Sequence, residues 1–401
     1  MAGGSQFISV LSAHVFAPQI RKTSVHFISR ELAALGHQVR FISVGFSWLR
    51  ALRNCPRYAA ITRAQKNRFA PIAPRLEAGA YIAPVHAFSN RNPLLDRIGS
   101  LLFPLYAGRL PAFARNAILQ SDVVMLESGT PLAFFDAVRA LRPQAKTLYL
   151  CRDHLQSVGA SPHLQGIERR IIGAFDSVCV PSRRLAEQLP PGGRVSVIPQ
   201  AVEPSAFRAA RQSPYPPGTL NAISVGDMLL DRPVLADLAR SAPEVTFHVF
   251  GTRWDRPAPA NLKVHGEIGF EELAGFIRHA DFGIAAYAAS DNESYLAESS
   301  LKLLQYAHCG LPVILPDSIP VARGNEVTYP RSGRFEGRAL VDRCIAMKRS
   351  GTLRFDIADW RDNAIDTLAT LGLTSHPALL ADEDEAAYLA DDAAQPQRQA
   401  V

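Results

Sequence analysis

Short apolar runs rich in β-branched residues alternate with helix-periodic runs along almost the whole chain. FISVLSA is typical of a strand, SVHFISRELAALG has helical spacing, and QVRFISVG is typical of a second strand. The same order restarts after residue 220 with AISVGDM, PVLADLARSA and VTFHVFG. Apolar strands separated by helices are typical of parallel sheets covered by helices on both faces. The pattern therefore predicts an α/β protein with doubly wound sheets.

A proline-rich break divides this alternation into two blocks. Residues 203–219 read EPSAFRAARQSPYPPGT, with four prolines and few large apolar groups. Such composition is typical of an interdomain linker. We therefore predict one domain over 1–202, a linker over 203–220 and a second domain over 221–355. A helix over 356–372 is expected to reach back toward the first domain, and the acidic stretch 373–401 is expected to be disordered.

Composition argues against several classes of protein. The five cysteines are scattered and form no C-x-x-C pair, which disfavours a disulfide framework or a zinc site. No apolar run reaches the roughly 20 residues that span a bilayer, and the first residues lack the basic start of a signal peptide. We expect a protein on the cytoplasmic side of the membrane.

The absence of G-x-G-x-x-G makes a nicotinamide or flavin enzyme less expected.

The segment between Val44 and Leu76 is strongly basic. It contains seven Lys or Arg residues and no acidic residue, with aromatic and leucine side chains interleaved. Such a segment suits an anionic surface: membrane lipid, a polyphosphate-linked substrate or nucleic acid, with a solvated loop as the alternative. Together with LLDRIGSLLFPLYAGRL, it predicts peripheral attachment to an anionic membrane. We do not expect nucleic-acid binding, because no recognisable motif accompanies the charge.

The segment SSLKLLQYAHCGLPVILP, residues 299–316, carries a lysine near the start of a predicted helix. Leu301, Leu304 and His308 share one helical face, and Gly310 is expected to end the helix. The helix follows a strand of the second domain, so its N-terminus should face the cleft where the carboxyl ends of both sheets meet.

A helix N-terminus attracts anions through its free N–H groups and its dipole. Ser299 and Ser300 add hydroxyl donors, and Lys302 adds a full positive charge. These residues predict a diphosphate-binding site, with Gln305 one turn further on meeting a ribose hydroxyl or a phosphate oxygen. The alternative is that Lys302 extends to solvent and Gln305 caps a neighbouring loop.

Several collinear segments in both domains resemble the GumK-type glucuronosyltransferases of xanthan biosynthesis, family 70 of the glycosyltransferases. They are LSAHVFAPQIRKTSVHFISRELAALG, DVVMLESGTPLAF, SVGDMLLD, VTFHVFG, FGIAAYA and YLAESSLKLLQYAHCGLPVI. The resemblance implies the GT-B fold, in which two Rossmann-like domains face each other across a cleft. It also implies an inverting, metal-independent transfer of glucuronic acid from UDP-glucuronate, or a related UDP-sugar, to a polyprenyl-diphosphate-linked oligosaccharide at the cytoplasmic face of the inner membrane. In many retaining GT-B enzymes a ribose-binding glutamate stands at the position that Gln305 occupies, and this departure disfavours retention.

The resemblance places the general base on Asp153, which follows the strand KTLYLC. Inversion needs a base that takes the proton from the incoming sugar hydroxyl. Arg152 and His154 flank Asp153, and an adjacent cation favours the ionised carboxylate. Glu127 is the alternative base, and Asp153 would then cap the next loop. The predicted acceptor-binding residues are His14, Lys22, His26, Glu127 and Ser128.

Loops after the strands of the second domain supply further donor-site candidates. Met228 and Leu229 would pack against uracil, and Gly226 would let the backbone approach closely. Glu267 would accept hydrogen bonds from uracil or ribose, and Arg253 would pair with a uronate carboxylate. For each residue, loop packing or capping is the alternative. The full predicted donor set is Gly226, Asp227, Met228, Leu229, Arg253, Glu267, Tyr287, Ser299, Ser300, Leu301, Lys302 and Gln305.

The only D-x-D motif, Asp382 to Asp384, lies in the acidic tail, so we expect neither a metal nor another cofactor. Stabilisation of the departing UDP then falls to Lys302 and the helix N-terminus. The rival hypotheses are a transferase with another UDP-sugar or acceptor, a sugar-nucleotide epimerase of the same architecture, and a non-catalytic sugar-binding protein.

Overall fold

Two parallel sheets with helices packed against them form the protein in a computed structural model. The structure describes residues 4–17, 22–48, 56–84, 93–108, 110–255, 257–289, 293–332 and 334–374. Positions 49–55 and 375–401 are not among them, so the predicted acidic tail and its D-x-D motif lie outside the described residues.

The N-terminal lobe is built on an eight-stranded sheet. Its elements are β1 (Phe7–Ser12), α1 (Ser24–Ala34), β2 (Gln38–Ser47), α2 (Pro56–Ala59), β3 (Ala70–Ala73), β4 (Leu76–Ala83), α3 (Pro93–Ala107), α4 (Ala112–Gln120), β5 (Val123–Glu127), α5 (Phe135–Leu141), β6 (Lys146–Leu150), α6 (Pro162–Ile171), β7 (Ser177–Val180), α7 (Arg183–Gln188) and β8 (Val195–Val197). The strand order is β3-β4-β2-β1-β5-β6-β7-β8, and only β3 pairs antiparallel. From β1, chain order proceeds outward through β5, β6, β7 and β8 on one side and through β2 to the β3–β4 pair on the other, as in a doubly wound sheet.

The C-terminal lobe carries a six-stranded sheet in which every pair is parallel. The linker helix α8 (Pro204–Ala209) precedes β9 (Leu220–Val225), α9 (Arg232–Ser241), β10 (Val245–Phe250), β11 (Leu262–Gly266), α10 (Phe270–His279), β12 (Phe282–Ile284), α11 (Leu296–Ser299), α12 (Leu301–His308), β13 (Val313–Pro316), β14 (Glu326–Tyr329), α13 (Gly337–Ser350) and α14 (Trp360–Ala369). The order β11-β10-β9-β12-β13-β14 again proceeds outward from its first strand. The predicted doubly wound α/β architecture is confirmed.

Both faces of the first sheet are covered. Tyr149 in β6 donates to Glu168 of α6, while Ser177 in β7 donates to Thr370, just beyond α14. Tyr149 is in register with Val178, so Ser177 and Tyr149 point to opposite faces. This double coverage explains why the central strands are continuously apolar rather than alternating.

The last helix returns to the N-terminal lobe. The rings of Trp360 in α14 and Phe27 in α1 stack in parallel, with their centroids 5.3 Å apart. Val202 and Asp359 form an isolated β-bridge, so the chain leaves the first lobe beside the point where it comes back. The two crossings lie side by side.

The linker is more structured than its proline content suggests. Residues 204–209 form helix α8, and Phe207 is buried against Phe270 and His308, with ring centroids 6.0 and 5.2 Å away. An aromatic side chain of this size gains about 2 kcal/mol or more by leaving water. The expected connection is therefore packed on the C-terminal lobe.

Helix α12 differs from its predicted form. Its buried residues include Leu303 and Tyr306, whereas Leu301 and His308 are only half-buried. The sheet lies on one side of the helix and α8 on another, so burial extends around more of its circumference than one stripe. Ser300 has an extended backbone, with ψ at 115°, and separates α11 from α12.

Helix α12 packs against the sheet at Gly283 in β12, where only a glycine leaves room for the ring of Tyr306. A Cβ at this position would lie 2.4 Å from Cδ2 of Tyr306. Gly283→Ala should therefore lower the free energy of unfolding by about 1–3 kcal/mol, measured by denaturant unfolding. The matched control is Gly166→Ala in α6, where the nearest atom is an arginine nitrogen at 3.9 Å and alanine favours the helix. Equal stability of the two variants would contradict this packing argument.

Candidate active site

Tyr287 organises the C-terminal side of the site. It lies three residues after β12 and is fully buried. Its hydroxyl shares a hydrogen bond of 2.6 Å with Oγ of Ser300, and its backbone carbonyl accepts a hydrogen bond from Arg331. The ammonium nitrogen of Lys302 lies 4.6 Å from the centroid of the Tyr287 ring. One side chain therefore fixes both the start of α12 and the lysine in its first turn.

The first turn of α12 combines several groups that favour an anion. Ser300 is the N-cap residue, and Lys302 follows it by two positions. The N-terminal amides of the helix and the lysine ammonium both favour negative charge. Gln305 is buried one turn further on, and Ser299 donates its hydroxyl to the carbonyl of Tyr295. This end of α12 is suited to a diphosphate.

The loop after β9 is held by a polar cluster. Asp227 accepts a hydrogen bond of 2.5 Å from Arg232 and another from the hydroxyl of Thr252. Gly226 has φ at 89° and Leu229 has φ at 53°, so the loop turns through the left-handed region twice. The Asp227 carboxylate thus holds the loop in shape through Arg232 and Thr252.

A small cavity opens at the carboxyl ends of β9, β10 and β11. It is lined by Val225, Gly226, Phe250, Gly251, Glu267, Ile268 and Leu273. Met228 and Arg253 are exposed nearby along the chain, and the carbonyl of Arg253 accepts a hydrogen bond from Arg232. Gly226 and Glu267, predicted separately for the donor site, therefore line one cavity. A second cavity lies at the amino-terminal edge of the first sheet, opposite the edge that carries Asp153. None of the predicted donor or acceptor residues lines it.

Asp153 lies in a turn that follows β6 of the N-terminal lobe. It is half-buried, and its neighbour Arg152 is buried. Within the described part of the chain, the guanidinium nitrogens of Arg152 find no hydrogen-bond partner. The charge of Arg152 lies in the field of the carboxyl groups of Glu127 and Asp153. Arg152 therefore offsets part of the negative charge that two acidic residues bring to this end of the sheet.

Glu127 belongs to a buried cluster at the ends of β1 and β5. Ser12 donates a hydrogen bond of 2.5 Å to one carboxyl oxygen, and Nε2 of His14 lies 3.6 Å from the other. Burial raises the pKa of Glu127 to about 7; the hydrogen bond from Ser12 opposes the rise, and the negative charge of Asp153 adds to it. The Glu127 carboxyl is thus engaged by its own lobe.

The remaining acceptor candidates have structural partners. The ring of His26 is buried; its Nδ1 accepts from the backbone N–H of Thr23, so Nε2 carries the proton donated to the carbonyl of Val15. Burial lowers the pKa of His26 to about 3, which keeps the ring neutral. Lys22 forms an ion pair with Glu271 of the other lobe, and the hydroxyl of Ser128 accepts from the backbone N–H of Arg152. Of the five, His14 and Glu127 meet in one cluster, while His26 is a packing residue.

The two lobes meet around Asp153. The hydroxyl of Tyr295, from the C-terminal lobe, donates to Oδ1 of Asp153 at 3.4 Å. Two further hydrogen bonds join the same segment to the N-terminal lobe, from the backbone N–H of Arg183 to Glu298 and from the Gln200 amide to the carbonyl of Ser299. Sequence reasoning missed Tyr295, because the segment before α12 has neither strand nor helix periodicity.

Two features are absent from the residues that the structure describes. Over these ranges, no group of three or more His, Cys, Asp or Glu residues is arranged to hold a metal ion. None of the helices there combines the length and the apolar character needed to cross a bilayer.

Comparisons with known proteins agree in both lobes. The family model for the N-terminal domain of glucuronosyltransferase GumK matches residues 10–181, and a glycosyl transferase-like family model matches residues 231–331. The UDP-glucuronate:glycolipid 2-beta-glucuronosyltransferase of Xanthomonas campestris pv. campestris is 31% identical over 314 residues, which cover 77% of this chain and 76% of that enzyme.

Two solved glycosyltransferase structures share the fold. One is AviGT4, a glycosyltransferase involved in avilamycin A biosynthesis, with a TM-score of 0.53 and 14% identity over 92% of this chain and 97% of that one. The other is a UDP-forming α,α-trehalose-phosphate synthase from Burkholderia xenovorans, with a TM-score of 0.56 and 10% identity over 97% and 99% of the two chains.

Two facing doubly wound lobes and these structural likenesses define a glycosyltransferase of the GT-B class. Within that class, the identity to the Xanthomonas enzyme over three quarters of both chains is decisive. The protein belongs to the GumK family of glucuronosyltransferases.

The raised pKa of Glu127 predicts a pH-dependent stability. Between 4.5, its ordinary value, and about 7, the folded protein retains a proton that the unfolded chain has released, so stability should fall as pH rises through this window. Glu127→Gln has no such proton. The Tm of Glu127→Gln should therefore rise relative to the Tm of the parent between pH 4.5 and pH 7. Above pH 7 the difference between the two Tm values should stay constant, measured by thermal unfolding. Glu31, with a pKa raised to about 7, is present in both proteins and cancels. Parallel Tm curves would refute the pKa assignment.

Proposed function

We propose that this chain is an inverting, metal-independent transferase that moves glucuronic acid from UDP-glucuronate to a sugar of a polyprenyl-diphosphate-linked oligosaccharide. The observation that carries the proposal is the contact between Asp153 of one lobe and the segment that leads directly into α12 of the other. A carboxylate and a diphosphate-binding helix end at the same interface are what an inverting transfer requires.

The donor side rests on α12 and the cavity beside it. Uracil would lie over the mouth of the small cavity near Gly226 and Glu267, and the diphosphate would lie at the N-terminus of α12 beside Lys302. The Xanthomonas relative is named as a UDP-glucuronate enzyme, which supports the same donor here. Arg253 remains the candidate partner of the uronate carboxylate, because it is exposed on the loop after β10.

The chemistry divides between the lobes. The acceptor hydroxyl oxygen forms a bond to the anomeric carbon while the bond from that carbon to the UDP oxygen breaks. Asp153 takes the hydroxyl proton, so the new glycosidic oxygen is neutral. The departing UDP gains negative charge, which Lys302 and the amides of α12 stabilise without reorganising. Metal independence remains a proposal, and an unchanged rate in EDTA is its expected outcome.

A different UDP-sugar or acceptor, or an epimerase of the same architecture, remains the second candidate. A panel of UDP-sugars separates these activities. The proposed transferase releases UDP only when lipid-linked acceptor is present, and fastest from UDP-glucuronate. An epimerase would convert the UDP-sugar into its epimer with no acceptor present, which product chromatography detects.

The division of roles predicts opposite defects in two variants. Asp153→Asn should keep the Kd for UDP within about twofold and lower kcat by about 10²–10⁴, because only proton removal is lost. Lys302→Ala should raise the Kd for UDP at least about tenfold, because a charge-assisted contact is lost. Calorimetric titration with UDP and a UDP-release assay measure the two effects. Lys263→Ala, an exposed lysine on β11, is the control and should match the parent. Parent turnover in Asp153→Asn would remove the base assignment.

We also propose that the N-terminal lobe attaches to the membrane surface. Leu101 and Leu105 lie four residues apart on α3 and are 76% and 49% exposed, and Trp48 at the end of β2 is 52% exposed. Large apolar side chains exposed together are typical of an interfacial contact. Arg57 belongs to the basic segment that would meet anionic head groups, whereas Arg50 and Arg53 lie outside the described residues.

Flotation with vesicles that contain phosphatidylglycerol tests this attachment. The double variant Leu101→Glu, Leu105→Glu should lose flotation, because two charges would have to enter the interface. Val321→Glu replaces a 60% exposed apolar residue of the C-terminal lobe and should float like the parent. Unchanged flotation of the double variant would contradict the proposed surface.

A further inference from the structure

A tyrosine hydroxyl from the C-terminal lobe lies against the carboxylate proposed as the base. The distance between the Tyr295 hydroxyl and Oδ1 of Asp153 is 3.4 Å, which is longer than the usual O–H···O hydrogen bond and makes this contact a weak one. Burial raises the pKa of Tyr295, and the negative charge of Asp153 raises it further, so the phenol keeps its proton. Tyr295 is therefore the donor, and the carboxylate is the acceptor.

The backbone that follows Tyr295 is held by hydrogen bonds. The side chain is 1% exposed, and its carbonyl accepts from the hydroxyl of Ser299 at 2.9 Å. The next residues form α11, whose Ala297 carbonyl accepts from Arg323 at 3.0 Å. A phenol has only two side-chain torsions to order, and burial of the ring restricts them. The hydroxyl is thus presented to Asp153 from a packed side chain.

The same segment is held by both lobes. The N-terminal lobe contacts it through the backbone N–H of Arg183, which donates to Glu298 at 3.3 Å, and through Gln200, which donates to the carbonyl of Ser299 at 2.6 Å. The C-terminal lobe holds it through Ser300 and Tyr287. Residues 295–300 therefore join the N-terminus of α12 to the neighbourhood of Asp153 through a segment that both lobes contact.

Asp153 itself lacks the support of regular structure. It lies in a turn three residues beyond the end of β6, and the following residues form further turns. A carboxylate that must accept a proton along one direction loses rate when it samples several orientations. A hydrogen-bond donor from the other lobe restricts those orientations.

We propose that Tyr295 is a positioning residue for Asp153, holding the carboxylate toward the acceptor hydroxyl through a hydrogen bond that crosses between the lobes. The inference rests on the proposed role of Asp153 and extends it to the other lobe. Since Tyr295 and the N-terminus of α12 belong to one hydrogen-bonded segment, this segment links the base to the diphosphate-binding site.

The test is the kinetics of Tyr295→Phe, which removes only the hydroxyl. The hydrogen bond is long, so kcat for UDP-glucuronate with lipid-linked acceptor should fall about tenfold. KM for UDP-glucuronate should stay within about twofold, because the hydroxyl is engaged with Asp153 and its removal leaves the groups at the N-terminus of α12 in place. The matched control is Tyr149→Phe, which removes a buried hydroxyl that donates to Glu168 at 2.5 Å within the N-terminal lobe. The control should keep the parent kcat.

Three kinetic outcomes would overturn the proposal. The first is a parent kcat in Tyr295→Phe. The second is a raised KM with unchanged kcat, which would make Tyr295 a donor-binding residue. The third is an equal fall in kcat in Tyr295→Phe and Tyr149→Phe, which would show a general loss of packing.

A double-mutant cycle in Tm tests the contact without any activity. Tyr295→Phe should lower Tm when Asp153 is present and have little further effect in the Asp153→Ala background. Additive Tm losses would show that the two side chains do not interact. Should the parent fail to transfer glucuronate, the proposed function fails, while this cycle still decides whether Tyr295 holds Asp153.

Discussion

The buried ring of Tyr287 is the interaction on which the C-terminal half of the site depends. Its hydroxyl fixes the N-cap residue of α12, its carbonyl accepts from Arg331, and its face lies under the ammonium of Lys302. A lysine side chain is ordinarily flexible, and an aromatic face restricts it at little cost in hydration. The positive end of α12 and the lysine charge are therefore set in place by packing before any diphosphate binds.

Parallel strands explain why the opposing groups belong to different lobes. Each doubly wound sheet brings its loops together at the carboxyl edge. The first sheet presents Glu127 and Asp153 there, and the second presents α12 and the cavity beside Gly226. Acidic groups and a positive helix end at the edge of one sheet would pair with each other. Separation by lobe leaves the positive end of α12 open to a diphosphate.

The sequence was sufficient for the fold and for the residues that end strands, because periodicity is local. It predicted two sheets, the start of α12 and the position of Asp153 after β6. Contacts between residues distant in sequence were not predictable: Ser12 with Glu127, and Asp153 with Tyr295, are paired only by folding. The prolines of the linker indicate a break in the alternation, but nothing in the sequence pattern shows that Phe207 is buried. His26 and Lys22 have the residue types of an acceptor site, yet backbone and interlobe partners engage them.

The central claim is that a carboxylate of one lobe faces a diphosphate held by the other. A crystal structure of the protein with UDP-glucuronate tests it most directly. The account predicts the β-phosphate in contact with Lys302 and the N-terminal amides of α12, with the anomeric carbon turned toward Asp153. A diphosphate bound elsewhere, or an anomeric carbon turned away from Asp153, would contradict it.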